Sequence, residues 1–70
     1  MAQRWVLVHE GSVYDLPSQA VARFMQRRIS RARSSGEALL LRIPVPGSVD
    51  VVTVVVDAST RVSVRSRHYS

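Results

Sequence analysis

The sequence predicts one small α+β domain over residues 1–70, in the order ββαβββ, with one amphipathic helix packed on one face of a mostly antiparallel five-stranded sheet. Short runs that alternate or concentrate apolar residues mark the strands. One central stretch instead repeats its apolar residues at helical spacing. Turn and cap residues fall between these segments, at Glu10-Gly11, Pro17-Ser18, Gly36, Pro46-Gly47 and Ala58-Ser59-Thr60.

Residues 4–9 are expected as the first strand, with Trp5, Leu7 and His9 on one side and Arg4, Val6 and Val8 on the other. Leu7 shares the face of Trp5, so Trp5 reads as part of the core. Gly11 supplies the positive φ of a tight hairpin, and residues 12–16 return as a short second strand. Pro17 stops the pairing, because it has no N–H for the ladder. The helix is expected from Pro17 or Ser18 to Ser34-Ser35, with Ser18 as a good N-cap and Gly36 as a left-handed C-terminal residue. Ala20, Val21, Phe24, Met25, Ile29 and Ala32 form its apolar stripe, with Arg28 snorkelling from inside that arc.

Residues 37–43 are expected as the third strand, with Leu39, Leu41 and Ile43 on one face. Phe24, Met25, Val21 and Ile29 should meet them. Pro46-Gly47 fits the centre of a type II turn. Residues 49–57 are the fourth strand and 61–68 the fifth, with Tyr69-Ser70 frayed. In the fourth strand Val51, Thr53 and Val55 point one way and Val52, Val54 and Val56 the other. Both faces read as apolar, which is the pattern of a strand buried on two sides. One helix of about 17 residues is roughly 25 Å long and covers one face of such a sheet. The second face, with Leu40, Val52, Val54 and Val56, is therefore the expected self-association surface. Asp50 and Asp57 bracket the run as gatekeepers against stray pairing.

Charge is distributed unevenly. All ten basic residues are arginine, and lysine and asparagine are absent, which fits a GC-rich bacterial or phage coding sequence. The formal net charge is +5. Arg23, Arg27, Arg28, Arg31 and Arg33 lie on the helix, which has no acid, and the remaining basic and acidic residues balance. Arg23, Arg27 and Arg31 repeat at i, i+4, i+8, a spacing at which like charges repel by a few tenths of a kcal/mol. A solvated face with a favourable C-terminal dipole accounts for Arg31 and Arg33 but poorly for Arg23 and Arg27. These four arginines are the expected contact for an anionic partner. Arg61, Arg65 and Arg67 form a second basic row on the far side of the sheet, where they read as the polar cover of an edge strand.

Several chemistries have no residues to carry them. The chain has no cysteine, so disulfides, thiolate metal sites and cysteine nucleophiles are excluded. His9 and His68 lie at a turn and near the chain end, and their spacing gives no metal site. No serine sits in a nucleophile elbow, and Gly11, Gly36 and Gly47 are isolated rather than a phosphate loop. No catalytic, cofactor or metal residue is expected, and no small-molecule substrate. No apolar run approaches a membrane span, the first residues lack a secretory signal, and a cytoplasmic location is expected. With one helix there is no helix-turn-helix, and no alternating aromatic and basic run suits RNA.

The order of elements resembles the β-grasp class, in which a hairpin, a helix and further strands form a mixed sheet with the helix across one face. That likeness implies topology and carries no functional residues. The expected function is a small non-catalytic interaction or regulatory module. It would form a homodimer or bind a protein partner through its second sheet face, while the basic helix engages an acidic surface. The alternative is a nucleic-acid-binding protein whose helix arginines contact phosphates.

Overall fold

A computed structural model describes residues 2–69. The elements follow the expected order: β1 (Ala2–His9), β2 (Ser12–Leu16), α1 (Gln19–Ser35), β3 (Leu39–Pro44), β4 (Val51–Val56) and β5 (Val62–Tyr69). Tyr69 belongs to β5 rather than to a frayed end, and Ser70 lies outside the described residues.

The sheet is divided, which corrects the expectation of five strands in one layer. One sheet has three strands in the order β2-β1-β5, and a separate two-stranded sheet pairs β3 with β4. Every pairing is antiparallel. The mixed sheet implied by the β-grasp likeness is therefore not formed. The cause lies at the start of β5. The backbone N–H of Glu10 donates to the carbonyl of Arg61 at 2.8 Å, and the N–H of Arg61 donates to Glu10 Oε1 at 3.0 Å. These bonds pin the entry of β5 to the tip of the first hairpin. From there β5 runs along all of β1, from His9↔Val62 to Ala2↔Tyr69. It is committed to β1, and β4 keeps β3 as its one partner.

The turns are locally determined. Glu10 (φ 48°) and Gly11 (φ 86°) both have positive φ, the signature of the type I′ turn whose twist matches a hairpin. Glu10 tolerates this region at some conformational cost, and its two bonds to Arg61 offset it. Ser18 Oγ accepts the N–H of Val21 at 3.2 Å, and Gly36 (φ 73°) closes the helix by donating to the carbonyl of Ala32. The turn over residues 45–48 has Gly47 at φ 78° and a bond from the N–H of Ser48 to the carbonyl of Val45, as a type II turn requires.

The core sits between the helix and both sheets. Ala22, Met25, Ile29 and Ala32 pack with Leu7, Leu16, Leu41, Ile43, Val54, Val56 and Val62, and Trp5, Tyr14, Val21, Leu39, Val52 and Val64 flank them. The helical stripe is thus centred on Ala22 rather than Ala20, which is exposed. Phe24 is also not a core residue; it is 51% exposed. Val6 is buried on the opposite face of the three-stranded sheet, beside Asp15 and Arg65 in the strand register.

Candidate functional site

β4 is not buried on two sides. Val54 and Val56 are buried and Val52 is half-buried beside them, while Val51, Thr53 and Val55 face solvent. The expected self-association face therefore needs correction. Val52, Val54 and Val56 line the core, opposite Ile43, Leu41 and Leu39. The free apolar side is built by Leu40, 61% exposed, with its cross-strand partner Val55, 52% exposed, and by Val51 opposite Pro44. Arg42 and Thr53 are the polar pair between them. Leu40 therefore lies on the opposite face of the β3–β4 pair from Val52, Val54 and Val56, the residues expected to share its face.

The helix arginines divide into three kinds. Arg23, Arg27 and Arg31 are exposed on the outer side of α1 and, among the described residues, have no carboxylate partner. Arg33 is a brace: its Nη2 donates to the carbonyl of Val62 at 2.8 Å and ties the end of the helix to β5. Arg28 lies over the Phe24 ring with its guanidinium carbon 5.6 Å from the ring centroid, within the range of a cation–π contact. The pair sits at the border of the apolar stripe, so Arg28 keeps its charge wet as snorkelling requires.

Two depressions join where α1 passes β3. One of about 520 Å³ is lined by Arg28, Arg31, Ala32, Ser35 and residues 37–40. The next, of about 360 Å³, is lined by Phe24, Arg28, Leu40, Leu41 and Arg42. Successive side chains of a strand point to opposite faces. A depression that touches Leu40, Leu41 and Arg42 in turn must run along the strand's edge. Glu37 is the single carboxylate in this lining.

Arg65 and Arg67 stand on the far face of the three-stranded sheet, away from Val62 and Val64, and Arg61 precedes the strand. Arg67 is directly opposite Arg4 in the register. The two basic surfaces do not converge. His9 is used structurally: Nε2 donates to the carbonyl of Val55 at 3.1 Å, linking β1 to β4. The side chain of His68 lies outside the described residues. Among the described residues no group of three or more His, Asp or Glu stands close enough to hold a metal ion. No helix is long and apolar enough to cross a membrane.

Of the two expected gatekeepers, Asp57 is committed to the turn before β5. Its Oδ1 accepts from the hydroxyl of Ser59 at 2.8 Å, the N–H of Ser59 at 2.9 Å and the hydroxyl of Thr60 at 3.0 Å. These bonds, the Ser59 hydroxyl first, hold its carboxyl below the ordinary aspartate value.

The chain matches no protein-family model, no curated protein and no solved structure. Its function must be read from its own surface. Sequence periodicity missed Phe24 as a surface residue. The available signal was Arg28, which stands four residues on along the same flank of the helix.

Proposed function

We propose that this chain is a small non-catalytic interaction module that docks an acidic protein surface. The observation that carries the reading is the meeting of two unsatisfied surfaces at the α1–β3 border. On one side Arg28 and Arg31 line the groove, and Arg23 and Arg27 continue the positive charge along the helix away from it, with no acidic residue anywhere on the helix. On the other stand the exposed apolar side chains Leu40, Val51 and Val55. Covering the exposed halves of these three side chains contributes about 1 kcal/mol each. A purely phosphate-binding surface would gain little from them.

A second copy fits this site less well, because pairing two such borders would oppose Arg28, Arg31 and Arg42 of one chain with the same residues of the other. Nucleic acid is the second reading, favoured by the run of arginines at i, i+4, i+8. Its mark is salt dependence. Three neutralised phosphates give a slope near −2.7, or about a 40-fold loss of affinity between 50 and 200 mM salt.

The test titrates the chain with polyglutamate and with a random-sequence duplex at both salt concentrations, and follows sedimentation of the chain alone. The reading expects a monomer that binds polyglutamate and loses that binding in Arg23→Glu/Arg27→Glu. Tighter binding to the duplex than to polyglutamate at the higher salt would overturn it. So would a tight homodimer, or a charge-reversed variant that still binds polyglutamate.

A further inference from the structure

β3 is a strand with one edge in use. It pairs with β4, and among the described residues no other strand pairs with it. Its second edge opens on the groove beside α1, since Leu40, Leu41 and Arg42 all line it. An open strand edge presents a row of backbone donors and acceptors, and is a template for another strand. Other open edges carry their own protection. β2 is short and followed by Pro17, β5 carries Arg65 and Arg67, and β4 is engaged at Val55 by His9. The edge of β3 is instead framed by a binding chemistry: Phe24 and Leu40 are apolar and exposed, and Arg28, Arg31 and Arg42 are cationic and, among the described residues, have no carboxylate partner.

We infer that the edge of β3 accepts an extended acidic segment of a partner protein as an added strand. This rests on the interaction-module reading and names the partner's form. The helix from Phe24 to Ser35 spans roughly 16 Å, which an extended chain covers in about five residues. Backbone bonds to β3 set its position. Side chains alternate, so carboxylates at every second residue face Arg28 and Arg31 beside the helix. The residues between them fall on the outer face, next to Leu40 and Arg42. Pro44 closes the site, since it has no N–H to offer. The same arginines exclude a second copy of β3 by repulsion. Charge thus selects the partner while the backbone supplies pairing that any sequence could use.

The probe is a fluorescently labelled peptide of about eight residues, alternating glutamate with valine, long enough to exceed the groove. Its two alternate sets of amides are N-methylated in separate copies, which removes donors and leaves charge unchanged. Anisotropy is expected to show binding of the parent, at least tenfold weaker binding for one methylated copy, and about tenfold weaker binding to Arg28→Gln/Arg31→Gln. Arg65→Gln, on the far face of the three-stranded sheet, should change it less than twofold. In the unmodified protein the amides of residues 39–42 should exchange more slowly with peptide bound, a readout that needs no variant to fold. If both methylated copies bind like the parent, strand addition is overturned and the acidic-partner reading stands. If no peptide binds and a random-sequence duplex does, both fall.

Discussion

Replacing Val55 and Val56 separately by threonine tests which face of β4 is inside. The two residues are adjacent in the chain, chemically identical and opposite in burial: Val56 is 0% exposed and Val55 52%. Threonine keeps the shape of valine and exchanges a methyl group for a hydroxyl. At position 56 the lost methyl transfer is about 0.8 kcal/mol. A hydroxyl without a partner in that apolar environment adds about 1–3 kcal/mol. A total near 2–4 kcal/mol is large against the roughly 4–10 kcal/mol expected for a chain of this length. At position 55 the hydroxyl meets water, and the change should stay within about 0.5 kcal/mol. With an unfolding entropy near 2.1 cal/mol/K per residue, these differences correspond to losses in Tm of about 14–27 °C for Val56→Thr and about 3 °C or less for Val55→Thr. Thermal melts by circular dichroism, with urea titrations to confirm an unchanged slope, measure both. Equal losses, or a larger one for Val55→Thr, would refute the assignment of faces and with it the exposed patch of Leu40, Val51 and Val55.

Other consequences can be checked in the same way. Glu10→Ala leaves a non-glycine residue at positive φ and removes the carboxylate bond to the N–H of Arg61, so it should cost about 1 kcal/mol in a urea titration. Asp57 is held below its ordinary value of 3.8 by Ser59 and Thr60. A lowered carboxyl contributes its stability fully above the unfolded value and loses it as pH falls through the folded value. Stability should therefore decline as pH drops below the ordinary aspartate range, and Asp57→Asn should flatten that decline in acid titrations of Tm.

Features fixed within a few residues were legible in the sequence. The ends of α1 follow from Ser18 and Gly36, the first hairpin from Glu10-Gly11 and the long loop from Pro46-Gly47. Each depends on the backbone preference of one or two residues. The division of the sheet was not legible, because it depends on contacts such as Glu10 to Arg61, which join residues far apart in sequence. Five strands in one layer would have left a wide second face needing cover, and that expectation drove the two-sided burial of β4. With β5 on β1, only one face of β4 meets the core. Thr53 on the outer side was the local sign of this. Along the helix, a stripe drawn through Phe24 competes with one through Ala22, Met25, Ile29 and Ala32. Small residues at Ala22 and Ala32 let the helix approach the sheets closely, and the bulkier phenylalanine moves to the border with Arg28. The basic helix face was legible as charge, but the brace made by Arg33 was visible only in three dimensions.

The arginines along the β3 groove have a further effect on how the protein behaves in bulk. On the strand-addition reading they would also hold off the same open edge of a second molecule. That repulsion is strongest in dilute electrolyte. The screening distance shrinks from about 10 Å at 0.1 M to about 3 Å at 1 M salt. Concentrated salt, which keeps many basic proteins dispersed, would here remove the barrier to edge-to-edge pairing of two copies through the leucine-rich strand.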